Sequence, residues 1–143
     1  MFGPTHHPLP LARGVALTAV GGALGALARW GLEERFPSHG TAFPWTTFAI
    51  NVLGSGLLAL LGATPAVRRR PALPVLLGTG VLGGFTTMST ASVDTVRLLD
   101  AGATGTGLVY ALGTLAAALL LAGAVARLDP IGEREFEAEE GDR

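Results

Sequence analysis

Residues 71–93 carry no charged side chain, and near their middle stands Gly83-Gly84-Phe85-Thr86-Thr87. An uncharged run of that length can cross the hydrocarbon of a bilayer. Two glycines followed by an aromatic and two β-branched residues make a poor helix. In hydrocarbon every backbone N–H and C=O needs a partner within the protein, so such an interruption survives only where it is packed in protein or borders a watery path. The run therefore predicts a membrane span broken at mid-depth, and a broken span points to an ion site.

Composition agrees with that placement. With 143 residues, 49% of them hydrophobic and 15% charged, the chain is too apolar for an ordinary soluble domain. A net charge of −1 argues against a nucleic-acid partner, and the lack of Cys removes disulfide frameworks and thiolate metal sites. No nucleophile, base and orienting group can be assembled into one cluster, so the chain does not read as an enzyme. His6 and His7 form a weak metal pair at best, and both lie in a stretch read as a flexible tail.

The organisation expected is an all-α integral membrane protein with four transmembrane helices. Residues 1–13 are a flexible N-terminal tail, 14–128 a four-helix transmembrane domain, and 129–143 a disordered acidic tail. The first span, 14–32, places Gly21, Gly25 and Arg29 on one face by their spacing of four, with Gly22 and Ala26 beside them. Arg29 either snorkels to the headgroups or serves a vestibule that concentrates anions. A polar turn, 33–44, overlaps the start of a second uncharged run, 36–67, with Trp45 suited to the interface. Inside it Thr47, Asn51 and Ser55 recur every four residues as a polar stripe. A mid-membrane Asn needs a partner; its roles are an interhelical hydrogen bond or an amide donor on an ion path. The fourth run, 101–126, carries Thr106, Tyr110 and Thr114 on one face.

Gly78-Thr79-Gly80-Val81-Leu82-Gly83 satisfies the dinucleotide pattern G-x-G-x-x-G, but no strand or βαβ unit surrounds it, so the match is discarded. Four spans put both termini on one side, with Arg13, Arg68, Arg69, Arg70, Arg127 and Arg134 there and Arg29, Arg35 and Arg97 opposite. Both termini are therefore expected in the cytoplasm.

Three segments together carry a resemblance. Residues 21–30 (GGALGALARW), 47–54 (TFAINVLG) and 80–90 (GVLGGFTTMST) resemble the signature segments of the Fluc/CrcB fluoride channel family, in the same order and spacing. The resemblance implies a multi-pass protein of the bacterial plasma membrane that releases cytoplasmic fluoride. It implies an antiparallel dimer with two pores and a structural Na⁺ at its centre, held by backbone carbonyls of Gly83 and Thr86. It places Asn51 and Thr47, the hydroxyls of Thr87, Ser89 and Thr90, and the Tyr110 and Thr114 face on the fluoride pathway. Arg29 and Asp94 then belong to a vestibule. Carbonyls freed by a broken helix suit a hard cation, and amide and hydroxyl donors can replace the water shell of fluoride.

The chain also departs from the family's pattern. Family members read T-T-F-S-T-F after the break, and the two Phe rings line the pore. This chain has Met88 and Ala91 there. That loss and the arginine asymmetry together predict a subunit that inserts one way and pairs with a paralogous partner. Competing readings are a small multidrug-type proton-coupled exporter, which needs a membrane carboxylate, and a non-conducting structural subunit.

Overall fold

A computed structural model describes residues 9–128, and among these every regular element is helical. The elements are α1 (Leu11–Arg35), α2 (Trp45–Ala63), a single turn α3 (Pro65–Arg68), a π-helix (Pro74–Leu82), a turn α4 (Gly83–Phe85), α5 (Met88–Asp100) and α6 (Thr104–Ala126). The expected tail residues 1–8 and 129–143, with His6, His7 and Arg134, lie outside the described residues. Residues 11–13, expected as tail, already belong to α1.

Prolines and glycines set the boundaries. α1 follows Pro10 and is capped at Phe36, ahead of Pro37. The turn to α2 uses Gly40 at φ 56, a left-handed conformation that costs glycine little. Thr64 is pushed to an extended conformation (φ −89, ψ 110) by the proline after it, which closes α2.

Three helices, α1, α2 and α6, are long and apolar enough to cross a membrane. Their outward faces are leucine-rich: Leu24, Leu53, Leu112 and Leu120 are all more than half exposed. In water such faces would be a liability; against lipid or a partner helix they are covered.

Glycines hold the elements together. α1 and the π-helix run parallel at backbone contact: Gly21 lies against the Leu76 carbonyl and Gly80, Gly25 against the Val81 carbonyl and Phe85 N, and Gly22 against Gly84. A Cβ added at Gly80 would stand 2.9 Å from the Gly21 Cα. This is small-residue packing in its closest form. α2 and α6 also run parallel, with Leu121 seated where a Gly56 side chain would be. α5 packs on α6 through buried Leu98 and Tyr110, and the Phe43 ring meets Tyr110 edge-on at 5.4 Å. The N-terminus of α1, the α2–π-helix connection and the C-terminus of α6 thus share one end of the bundle.

The interruption expected over 83–87 is narrower in the structure. Gly83–Phe85 remain helical, and only Thr86 (φ −74, ψ 153) and Thr87 (φ −149, ψ 115) are extended. Two causes are visible. Gly84 serves close approach to Gly22 of α1, and the Thr86 N–H and Oγ1 both donate to the Leu82 carbonyl at 3.0 Å, which closes the preceding turn. Ahead of the break the helix is already widened, since Gly83 N–H bonds Gly78 O five residues back. Such π-turns are rare and recur at functional sites.

Candidate functional site

The break is held by one side chain. Asn51 donates from Nδ2 to the Thr87 carbonyl at 2.9 Å and accepts the Thr87 N–H on Oδ1 at 2.8 Å. Its amide thus reproduces both hydrogen bonds of a backbone partner, at a residue where neither adjoining helix supplies them. A primary amide has two N–H donors. One is spent on Thr87, and the other is left for the groove that Asn51 borders.

That groove has a volume of ≈ 530 Å³ and runs between α2, α5 and α6, with Asn51, Thr86, Thr87, Met88, Ala91 and Thr114 among its walls. Among the described residues that line it none is charged. Ala91 forms part of a smooth wall, while Met88 is 75% exposed and stands at the edge. Ser55, Ser92 and Thr95 also line the groove, and they were not among the expected pathway residues. The spacing of Thr87, Ala91 and Thr95 by four was the signal that could have found the last of them. Several wall hydroxyls are turned to the backbone: Ser92 donates to Met88 O at 2.9 Å, Thr95 to Ala91 O at 2.8 Å and Thr114 to Tyr110 O at 2.6 Å. Each must rotate before its hydrogen faces the groove.

Of the residues expected on the pathway, Asn51, Thr87 and Thr114 meet at the groove. Thr87 Oγ1 accepts the Thr90 N–H and donates to the Thr90 hydroxyl, at 3.1 Å each, and so caps α5. Ser89 lies exposed. Thr47 and Tyr110 are elsewhere: both hydroxyls donate to Asp94 Oδ2, at 3.1 and 3.5 Å. Asp94, expected at a vestibule, is 7% exposed, and its Oδ1 pairs with Arg97 at 3.1 Å. A buried carboxylate needs such partners, and Thr47, Tyr110 and Arg97 together satisfy it. With Asp94 these residues form a structural knot between α2, α5 and α6 instead of a continuation of the groove wall.

Arg29 likewise faces inward from α1. Its Nε donates to the Gly84 carbonyl at 3.4 Å, and Nη1 pairs with Glu33 at 3.4 Å. In an uninterrupted helix Gly84 O would bond the amide of residue 88, which lies beyond the break. Arg29 takes over that carbonyl.

The carbonyls of Gly83 and Thr86 have lost their helical donors in the same way. The amide four residues after Gly83 is Thr87 N–H, given to Asn51; the one after Thr86 is Thr90 N–H, given to Thr87 Oγ1. Two hard oxygens are thereby left for another partner, and Gly83 is solvent-exposed in the single chain. The donor set fits an alkali cation.

Comparison with known proteins covers the region that holds this site. The family model for CrcB-like protein, Camphor Resistance (CrcB), matches residues 16–126. A relative from Thermus thermophilus, named "Fluoride-specific ion channel FluC", is 46% identical over 113 residues, covering 74% of this chain and 85% of its own length. "Fluoride-specific ion channel FluC 1" of Rhodococcus jostii is 47% identical over 112 residues, 78% of this chain and 82% of that one. "Fluoride-specific ion channel FluC 2" of Thermobifida fusca is 43% identical over 114 residues, 78% and 84% respectively. With the matched region running from within α1 to the end of α6, and with its helix break, Asn51 clamp and uncharged groove inside that region, the chain belongs to the CrcB family.

Proposed function

We propose that the chain is a subunit of a fluoride channel in the cell membrane, letting cytoplasmic fluoride leave down its gradient. The observation that carries this reading is the Asn51 amide at the helix break: its second N–H is left for an uncharged groove, and the relatives are named as fluoride-specific channels. Fluoride gives up its water only where donors replace it, and a fixed cation on the path would hold it too long. Asn51 supplies a donor, Thr87 is positioned beside it, and the hydroxyl of Thr114 becomes available on rotation. Thr47, Ser89, Thr90 and Tyr110 act behind these residues or on a face completed by a second subunit. Arg29 and Asp94 brace the walls.

In this reading the π-helix, α4 and α5 together cross the membrane as one broken span, making four spans in all, and two chains pair antiparallel. Gly83 and Thr86 would hold a structural Na⁺ through their carbonyls, and the ion would supply positive charge to oxygens whose helical amide donors are taken elsewhere. The partner is a paralogous subunit. Ala91 and Met88 leave the groove without ring edges, and the arginine asymmetry favours a single insertion direction. Relatives numbered FluC 1 and FluC 2 occur in several species, in keeping with unlike pairs.

The test is fluoride efflux from proteoliposomes followed with a fluoride electrode. The chain alone releases little, and co-reconstitution with its paralogue restores efflux. Release of chloride at an equal rate, or none of either ion with any paralogue, would remove the fluoride-channel reading.

A further inference from the structure

A second groove lies at the other end of α2, away from the break. It has a volume of ≈ 270 Å³ and is lined by Leu58, Leu61, Gly62, Pro74, Gly78 and Thr79, with Arg68 as the one charged residue of its lining. Its depth comes from missing side chains. A Cβ at Gly62 would meet nothing within 4 Å, and one at Gly78 would touch only Leu61 at 3.4 Å and Leu58 at 3.5 Å. Arg69 and Arg70, both exposed, follow Arg68 in the chain. The bundle is polarised along the same axis. Trp30 and Trp45 mark the end where α1 stops and α2 starts, whereas Arg13, Arg68, Arg69, Arg70 and Arg127 gather at the opposite end. The groove therefore opens where hydrocarbon meets a basic boundary. An acyl chain suits its apolar walls and an anionic headgroup suits the three arginines, the arrangement by which basic pockets between membrane helices take acidic lipids.

We propose that this groove is a binding site for an anionic glycerophospholipid of the cytoplasmic leaflet, one acyl chain lying over Gly62 and Gly78 and its phosphate at Arg68, Arg69 and Arg70. The site is independent of fluoride conduction.

Native mass spectrometry of the full chain, from micelles doped with equal phosphatidylglycerol and phosphatidylcholine, tests it. Wild type retains phosphatidylglycerol preferentially. At roughly five-fold per arginine, the triple variant Arg68→Gln/Arg69→Gln/Arg70→Gln loses about a hundred-fold and the preference disappears. Gly62→Leu, which fills the groove from an open position, lowers retention of both lipids while the melting temperature stays within a few degrees. Equal retention of the two lipids by wild type, or retention that Gly62→Leu leaves unchanged, overturns the proposal. A change of oligomeric size on Gly62→Leu would instead assign the groove to a subunit contact and overturn it as well.

Discussion

Asn51 carries two tasks with one amide, and the two can be separated by substitution. Asn51→Ala leaves the Thr87 N–H and C=O without partners at a partly buried site, at roughly 1–3 kcal/mol for each group. Asn51→Asp still accepts the Thr87 N–H, but it sets a carboxylate oxygen against the Thr87 carbonyl and against an incoming anion. Both variants should lose fluoride efflux in proteoliposomes, and Asp should melt nearer to wild type than Ala. The Asp94 knot behaves differently. Asp94→Ala orphans the Thr47 and Tyr110 hydroxyls and should cost about 2–4 kcal/mol in thermal or denaturant melts. Arg97 is 44% exposed, so Arg97→Gln should cost no more than about 1 kcal/mol. A large loss in that second variant would mean the ion pair, and not the hydroxyl pair, holds the carboxylate.

At the scale of the helix pair, glycine position matters more than glycine number. Gly25→Ala pushes a methyl into the Val81 carbonyl and the Phe85 amide, where backbone cannot step aside, and should cost at least about 3 kcal/mol. Gly31, on the same helix, has nothing within 4 Å of a built Cβ, so Gly31→Ala should stabilise by roughly 0.5–1 kcal/mol through helix propensity alone. Equal melting shifts in the two variants would show that the α1 and π-helix contact is looser than its geometry. The face that carries this contact was legible in the sequence, because Gly21, Gly25 and Arg29 recur at a helical period. What they touch was not. The glycines of 83–84 read equally well as a flexible hinge, and it is the backbone of Gly22 that makes Gly84 a contact residue within helix, leaving the break to Thr86 and Thr87 at the end of the expected segment.

For the whole molecule, the groove is open along a side where Met88 is exposed and Ala91 offers only a methyl. Ala91→Phe should narrow the groove and supply a ring edge. If the missing ring is what silences a lone subunit, that variant gains fluoride efflux in liposomes without a paralogue, whereas wild type does not. A variant as inactive as wild type, yet folded and dimeric, would place the defect elsewhere. The apolar runs, the polar stripe on α2, the small-residue face of α1 and the location of the break to within a few residues were decided by the sequence alone, because periodicity and the cost of a bare backbone in hydrocarbon act locally. Tertiary structure alone decided which hydroxyls reach the groove. Thr47 and Tyr110 sit on the expected helix faces, yet they turn to Asp94, since a buried carboxylate on α5 attracts the nearest donors from α2 and α6 more strongly than an open groove does, and only the packing of three helices brings those donors within its reach.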